Sequence, residues 1–438
     1  MKQTRPLSVL IAVLLVLGLL LVACQPAPAT SEPSSSEPVK LTVLTHWGEE
    51  SLATPMKALL DEYTKANPNV TIDYQAVTFD QLLTKISTSR AAGTAPDIIH
   101  IYNLWMPDFV KGGALADPPA DVVEDIKANY SPGSIEAVTV NGQIWGYPTE
   151  INTWQLVYNK KMFEEAGLSE PPKTLAELKD HACKLTKRSA DGTLEHTGLA
   201  VLTGWDSGVV HPFLSLLWSN GGAYLDTAQG KAMFNSPEAK EVLQVYSDLI
   251  KEGCVDPGLG GGFNDFVTGK SAMVIMANFF RSDLKNSFVD GYENVGVAPI
   301  PVGASGDKSV ALQYNWLWTV DKTSQNAEEA WKLVKWLNTP RAEGKASPMG
   351  EYLTSALGAI PSRLSDQTAL SDTLSDFFLQ AYLNSASTSQ PEPVLVGGQE
   401  IKTALQTEIE STWYDKKSID EALQSAAAEA DRILGENQ

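Results

Sequence analysis

The chain has 438 residues, and its 53 acidic and 33 basic side chains give a formal net charge of −20. This acidic balance argues against nucleic-acid binding, because contact with a phosphate backbone needs a basic surface. The length is too great for one ordinary hydrophobic core and predicts two domains.

Residues 1–23 have the build of a secretory signal peptide. Lys2 and Arg5 precede an uncharged apolar stretch, which is the usual order in such signals. The stretch ends in Leu21-Val22-Ala23-Cys24, which resembles the lipobox of bacterial lipoproteins. That resemblance implies cleavage before Cys24, acylation of this cysteine, and an extracytoplasmic protein held at the cell membrane by lipid. Loss of Lys2 and Arg5 would take the net charge from −20 to −22. An uncleaved apolar anchor is the alternative.

Residues 24–38 are predicted to be the lipidated cysteine followed by a flexible linker. The segment from Gln25 to Pro38 consists almost entirely of Pro, Ser, Ala, Thr and Glu, and it has no large apolar side chain. Such a composition cannot bury enough surface to offset the entropy cost of ordering.

The chain after residue 38 begins with alternating strands and helices. β-branched alternation and helical spacing of apolar residues predict strands over 39–46, 70–77 and 97–102, and helices over 52–67 and 80–91. This order requires crossover connections and hence a parallel sheet covered on both faces. Such sheets bind ligands outside the carboxyl ends of their strands. We therefore expect residues 46–49 (His-Trp-Gly-Glu) at one such end, and Tyr102, Asn103 and Trp105 at another.

Three longer segments carry a recognisable pattern: LTVLTHWG with the helix and ANPNVTIDYQAV that follow it, GTAPDIIHIYNLWMPDFVKGGALADP, and NGQIWGYPTEINTWQLVYNKKMFEEAGL. They resemble, in this order, the extracellular solute-binding proteins of sugar-importing ABC transporters, the maltose-binding-protein-like group. Weaker similarities such as FVTGKSAMVIMANFF and AEEAWKLVKWL continue in the family's order. The resemblance covers nearly all of the chain after residue 38.

The resemblance implies an α/β fold of two lobes, a type II periplasmic-binding-protein-like clamp. Each lobe would be a mostly parallel sheet flanked by helices. The first lobe would comprise residues 39–150 and 308–360, and the second residues 151–307 and 361–438.

The residues at the expected lobe crossings agree with this arrangement. The stretch from Pro148 to Val157 is extended and rich in Thr, Val and Tyr, which suits a connecting strand. Residues 313–320 are predicted to be a strand that returns to the first lobe. By resemblance, residues 359–362 mark a later crossing.

Aromatic residues beside polar side chains indicate a carbohydrate site, because sugars present apolar C–H faces and a rim of hydroxyls. Five such clusters lie at strand ends or in loops: His46-Trp47-Gly48-Glu49, Asn103-Leu104-Trp105, Glu150 with Asn152, Thr153 and Trp154, Trp205-Asp206, and Asn278-Phe279-Phe280-Arg281. Trp316 is a further candidate. For Trp145, Trp218, Trp331 and Trp336, a place in the core is the better interpretation.

The resemblance also bears on single positions. Counting between Tyr147 and Tyr158 puts Asn152 where the maltose binders carry a ligand carboxylate, and Phe279 falls where they carry a stacking aromatic. Because Asn152 replaces a carboxylate, the sugar is left undefined. Glu150 either substitutes for the missing carboxylate or faces solvent.

We therefore expect a monomeric binding protein, not an enzyme, that captures a mono- or oligosaccharide and delivers it to an ABC transporter permease. It would need no cofactor and no metal, since the histidines are scattered and no Cys-x-x-Cys occurs. One alternative is a sensor subunit that presents the ligand to a membrane receptor. Another is a surface enzyme that uses Glu49 and Glu150 as a carboxyl pair.

Two further features complete the expectations. Residues 258–262 (Gly-Leu-Gly-Gly-Gly) lack the Lys-Ser/Thr of a phosphate loop, and they predict a flexible connection. Cys183 and Cys254 could form a disulfide in an oxidising compartment. Cys183 falls within a helical pattern and Cys254 at the end of another. The alternative is therefore that both are buried as small apolar residues without a bond between them.

Overall fold

The computed structural model describes residues 38–437, and a compact unit begins at Val39. The predicted signal peptide, the lipidation of Cys24 and nearly all of the linker lie outside the described residues. Among the helices of residues 38–437, none has the length and apolarity needed to cross a membrane.

The strands in chain order are β1 (Val39–Thr45), β2 (Val70–Ala76), β3 (Ile98–Tyr102), β4 (Thr139–Val140), β5 (Gln143–Ile144), β6 (Tyr147–Asn159), β7 (Lys187–Arg188), β8 (Leu194–His196), β9 (Leu225–Asp226), β10 (Lys231–Ala232), β11 (Met273–Ala277), β12 (Val295–Ala298), β13 (Leu312–Val320), β14 (Ile360–Pro361) and β15 (Gln390–Pro391).

The α-helices are α1 (Glu50–Ala66), α2 (Phe79–Ala91), α3 (Met106–Lys111), α4 (Ala120–Asn129), α5 (Pro132–Glu136), α6 (Lys160–Glu165), α7 (Leu175–Leu185), α8 (Asp206–Ser219), α9 (Pro237–Lys251), α10 (Asn264–Val267), α11 (Arg281–Ser287), α12 (Ala327–Asn338), α13 (Pro348–Tyr352), α14 (Leu364–Ala369), α15 (Ser371–Leu374), α16 (Phe377–Ala386), α17 (Gly398–Trp413) and α18 (Ile419–Glu436). Short 3-10 helices cover Asn103–Trp105, Asn278–Phe280 and Tyr292–Asn294, and a π-helical turn covers Leu353–Leu357.

The elements from β1 to β5 are called here the first lobe, and those from α6 to β12 the second lobe. In the first lobe, β1 pairs in parallel with β2 and with β3, as the alternation of strands and helices predicts. The predicted strands and helices between residues 39 and 102 are all present, and their ends lie within two residues of the expected positions. Local periodicity was therefore sufficient to define this region.

Strand β6 runs from one lobe into the other. Its first residues, Tyr147–Thr153, pair with β13, whereas its last residues pair with β11 on one side and β12 on the other. The connecting strand predicted over 148–157 is thus confirmed. The strand expected over 313–320 is confirmed as β13, which lies between β6 and β3. Strand β14 pairs with Ile151 and Glu150 of β6, at the place where the later crossing is expected.

The sheet is mixed. Among the larger strand pairings, only those of β1 with β2 and with β3 are parallel, so the expectation of mostly parallel strands is met only there. Strand β13 runs antiparallel to β3 and to β6, and β6 runs antiparallel to β11 and β12. The difference arises because strands that cross between lobes enter a sheet without a crossover helix. The lobe boundaries at residues 150, 307 and 360 remain predictions.

Cys183 and Cys254 form a disulfide, so the alternative of two separate buried thiols is wrong. Cys183 lies in the last turn of α7 and Cys254 follows α9, and their Cα atoms are 4.8 Å apart. The bond therefore ties two helices of the second lobe. The four tryptophans interpreted as core residues are confirmed there, with Trp218 and Trp331 buried and Trp145 and Trp336 packed partly buried against the core.

Candidate functional site

A cleft with a volume of about 560 Å³ lies between the two lobes. The first lobe contributes the residues that follow β1 and the start of α2, and the second lobe contributes the segment before α8 and the start of α11. The floor comes from β6 and β13, which pass between the lobes. The cleft thus lies where the strand ends of the first lobe face the second, as expected for an open α/β sheet.

Predicted site residues from five separate parts of the chain line this cleft: His46, Glu49, Glu150, Asn152, Trp205, Phe279 and Trp316. The tertiary structure brings them together from both lobes and from the crossing strands. Their contact with a ligand stays a prediction.

One wall of the cleft is a stack of neutral rings. Trp316 on β13 stacks on His46, with ring centroids 3.9 Å apart and planes inclined by 23°. Burial lowers the pKa of His46 to about 3, so the imidazole is uncharged at neutral pH. The wall therefore offers an apolar face rather than a cation.

A second pair of rings meets across the cleft. Phe79 begins α2 in the first lobe and Trp205 precedes α8 in the second, and their ring centroids lie 6.4 Å apart at 77°. The Trp205 Nε1–H is buried without a hydrogen-bond partner among the described residues. An indole in this state has a donor available for a bound molecule.

The cleft floor carries two buried polar side chains of β6. Glu150 and Asn152 are two residues apart in the strand, so they point to the same face. Glu150 is 1% exposed and accepts a hydrogen bond from the Thr149 hydroxyl. Burial raises the pKa of Glu150 to about 8, which keeps it protonated at neutral pH. The alternative that Glu150 faces solvent is therefore wrong.

Three of the predicted tryptophans lie in the core and outside the cleft lining. Trp47 is fully buried against Trp318, with centroids 5.6 Å apart, because the adjacent His46 occupies the cleft side. Trp154 is also fully buried, behind Trp205. Trp105 donates its Nε1–H to Gln399 at 2.7 Å, so its polar group is already used.

The predicted polar residues outside the cleft lining are Asn103, Thr153, Asp206, Asn278 and Arg281. Each of them has a hydrogen-bond or ion-pair partner within the fold. Asn278 Oδ1 accepts from the Thr153 backbone N–H at 2.9 Å, and Arg281 pairs with Asp376 at 3.2 Å. Asn103 and Asp206 likewise accept from Asn315 and Gln399. The polar-beside-aromatic pattern cannot distinguish such internal partners from a ligand.

The sequence reasoning also missed several residues of the cleft. Tyr314 lines it two positions from Trp316, and strand alternation could have identified it. The segment from Gly260 to Phe263 forms part of the wall, although a flexible connection was expected there. Gly260 and Gly262 have φ angles of 72° and 59°, which side-chain-bearing residues rarely adopt. No local signal pointed to Asp283.

A buried ionic cluster lies directly behind the cleft wall. Lys402 on α17 is fully buried, and its Nζ donates to the Tyr102 hydroxyl at 3.1 Å and the Ser207 hydroxyl at 2.9 Å. Its ammonium group lies 3.4 Å from Glu392 and 2.7 Å from Nε2 of His211. Burial alone would raise the pKa of Glu392, but the charges of Lys402 and His211 outweigh it and lower the pKa to about 2. Because Tyr102 and Ser207 line the cleft, this cluster supports its wall.

Known proteins similar to this chain are binding proteins. A putative binding protein of Brucella abortus (strain 2308) is 28% identical over 381 residues, covering 84% of this chain and 87% of that protein. The galactooligosaccharide-binding protein of Bacillus subtilis (strain 168) is 24% identical over 441 aligned residues, covering 97% of each. Both alignments span most of each protein.

The fold matches a solved structure. An ABC transporter solute-binding protein from Thermotoga lettingae, bound with α-D-tagatose, superposes with a TM-score of 0.79 at 24% identity. The superposition covers 91% of this chain and 100% of that one. This similarity confirms the predicted two-lobe clamp.

The family model described as bacterial extracellular solute-binding protein matches residues 47–344, which include the cleft residues of β6, α8, α11 and β13. The match covers more than half of the chain. This protein belongs to the bacterial extracellular solute-binding protein family.

Proposed function

We propose that this protein captures a mono- or oligosaccharide outside the cytoplasm and delivers it to the permease of an ABC importer. The observation that carries the proposal is the cleft, whose aromatic walls enclose a polar floor. Trp205 and Trp316 offer faces for sugar C–H groups, and Asn152 and Glu150 offer polar atoms for hydroxyls. The named ligands of the Bacillus and Thermotoga relatives are also carbohydrates.

Ligand-driven closure is the mechanism that this geometry supports. A sugar in the cleft would contact Trp205 and Phe279 of the second lobe as well as Trp316 on the crossing strand. Contacts to both lobes exist together only when the lobes are close, so the ligand favours the closed state. The permease would then recognise that state, and the ligand would leave unchanged.

The remaining parts of the proposal concern the location and assembly of the protein. Lipid on Cys24 would hold it at the membrane, and residues 24–38 would give it reach toward the permease. We propose a monomer without cofactor, metal or catalytic activity. The relatives named above are binding proteins, which supports the absence of catalysis.

A thermal-shift screen of the purified protein with mono- and oligosaccharides tests this function, with amino acids and polyamines as comparison ligands. A ligand that binds only the folded state stabilises it by about 2.7 kcal/mol at a hundredfold excess over Kd. Calorimetry should then give a Kd, and chromatography should recover the sugar intact. A sugar cleaved during incubation would show an enzyme instead, and binding only by a non-sugar would overturn the carbohydrate assignment.

Matched tryptophan variants locate the site. We expect Trp205→Ala to raise the Kd about 10- to 100-fold, because loss of a stacking face costs about 1.4–2.7 kcal/mol. Trp336→Ala is the control, since Trp336 is also half-buried but packs against Tyr63 outside the cleft. Equal effects of the two variants would place the sugar elsewhere.

A further inference from the structure

The cleft lining holds several acidic side chains, of which Glu150 is protonated at neutral pH. Over residues 38–437 the lining includes Glu49, Asp80, Glu150 and Asp283 but no lysine or arginine. Arg281 is close in sequence to Asp283, yet its guanidinium is paired with Asp376. A phosphate or carboxylate on a ligand would therefore meet no cationic side chain in this cleft.

Glu49 and Asp283 place carboxyl groups from the two lobes in the lining of the same cleft. Glu49 directly precedes α1, and Asp283 lies in the first turn of α11. Burial and then the charge of Glu49 raise the pKa of Asp283 to about 6, although a helix start by itself favours an ionised carboxylate. At neutral pH Asp283 is therefore mostly ionised, and no described lysine or arginine in the cleft lining offers it a counter-charge.

Asn152 gives an independent indication of what the cleft binds. Its side chain is 2% exposed and lines the cleft, and its Oδ1 atom has no hydrogen-bond donor within the described part of the chain. Buried polar atoms are normally paired, so a ligand donor would complete this one. Together with the carboxylates of Glu49 and Asp283, Asn152 Oδ1 gives the cleft acceptors for the donors of a ligand. An ammonium group brings three donors, whereas a hydroxyl brings one.

We propose that the ligand is a saccharide bearing a basic amine, whose ammonium group lies between Glu49 and Asp283 while a donor of the sugar reaches Asn152. This inference rests on the proposed carbohydrate-binding function and narrows its substrate class. The aromatic walls favour the same ligand, because ring faces attract a cation as well as C–H groups. A neutral sugar would leave the two carboxylates without a counter-charge.

Calorimetry at pH 7 with three related disaccharides tests the inference. The probes are the β-1,4-linked disaccharide of glucosamine, its N,N′-diacetylated form, and cellobiose. We expect the glucosamine disaccharide to bind at least about tenfold more tightly than the other two, which corresponds to 1.4 kcal/mol. The advantage should shrink as salt is added, because salt screens charge pairs.

Carboxamide variants assign the effect to the pair. The double variant Glu49→Gln/Asp283→Asn should reduce the advantage of the amine to less than about threefold. Asp372→Asn is the matched control, since Asp372 also lies in the first turn of a helix but outside the cleft lining, and it should keep the advantage.

The possible failures are distinguishable. If cellobiose or the diacetylated probe binds as tightly as the amine, or if the double variant keeps the full advantage, the inference is wrong and the carbohydrate function stands. If the amine probe does not bind while another saccharide does, the inference is likewise wrong and the carbohydrate function stands. If no saccharide binds in this experiment or in the wider screen, both proposals fail.

Discussion

Lys402 and Glu392 illustrate how single buried charges support the cleft. Both side chains are almost fully buried, and their charged atoms lie 3.4 Å apart beside the Tyr102 hydroxyl. Removing two charges from water is costly, and their attraction offsets this cost only while both are present. The position of α17 against the cleft wall therefore depends on both residues, because loss of either one leaves the other charge unpaired.

We expect Lys402→Met to lower the free energy of unfolding by about 3–5 kcal/mol, because Glu392 would be left buried without a counter-charge. The double variant Lys402→Met/Glu392→Met should lose less than the sum of the two single variants. Urea denaturation measures these changes. Lys184→Met removes an exposed lysine paired with Asp180 and should cost no more than about 0.5 kcal/mol. Equal losses for the two lysine variants would contradict the role of the cluster.

Glu150 should make stability depend on pH. Its pKa is raised by burial from 4.5 to about 8, so the folded state holds the proton more tightly than the unfolded chain does. Its contribution to stability is therefore fully present below pH 4.5 and is lost as the pH rises through 8. Glu150→Gln should abolish this loss, which is on the order of a few kcal/mol.

The measurement is the midpoint of thermal unfolding at several pH values from 5 to 8, compared between wild type and variant. The difference isolates Glu150 from the other titrating groups. Glu165→Gln, which removes an exposed carboxyl group at the end of α6, is the matched control variant. Parallel profiles for Glu150→Gln and wild type would show that Glu150 does not titrate in this range.

At the scale of elements, contacts between residues far apart in the sequence position the segments around the cleft. Asn278 follows β11 and holds β6 by accepting from the Thr153 N–H and donating to the Ile151 carbonyl. These contacts fix the part of β6 that carries Asn152. In the second lobe, the disulfide between Cys183 and Cys254 ties α7 to the end of α9.

Loss of that disulfide should lower the free energy of unfolding by about 2–5 kcal/mol. The two cysteines are 71 positions apart, so the bond restricts a long loop of the unfolded chain. Thermal unfolding of the wild type with and without reductant measures the effect, after thiol titration confirms reduction. The variant Cys183→Ala/Cys254→Ala should unfold at the lower temperature in both conditions. An unchanged midpoint after complete reduction would contradict the prediction.

At the scale of the whole molecule, strands β6 and β13 run between the two lobes. Strands β6 and β13 and the short β14 lie side by side beneath the cleft. The lobes can therefore change their separation by small backbone rotations in these links while each keeps its own core. A ligand that contacts Trp205 and Trp316 together would shift this equilibrium toward the closed arrangement.

Small-angle X-ray scattering should show a smaller radius of gyration when a bound saccharide is saturating. The reason is that the closed state makes contacts with the ligand that the open state lacks. The variant Trp205→Ala/Phe279→Ala, at the same sugar concentration, should keep the larger radius because its affinity is lower. A wild-type radius that stays constant at full occupancy would contradict ligand-driven closure.

The sequence by itself determined the strands and helices between residues 39 and 102, the crossing strands β6 and β13, and the acidic balance that argues against nucleic acid. These features depend on local periodicity and composition, which a single chain displays directly. The three segments that resemble the solute-binding family, taken in their order, were likewise sufficient to predict the clamp fold.

Only the tertiary structure decided which neighbouring residues face the cleft. His46 and Trp316 line it, whereas Trp47 and Trp154 lie in the core, although all four have similar sequence surroundings. The disulfide between Cys183 and Cys254 and the burial of Lys402 are likewise visible only in the tertiary structure. Burial and pairing depend on residues hundreds of positions away, such as Lys402 and Tyr102, and local sequence carries no signal of contacts at that distance.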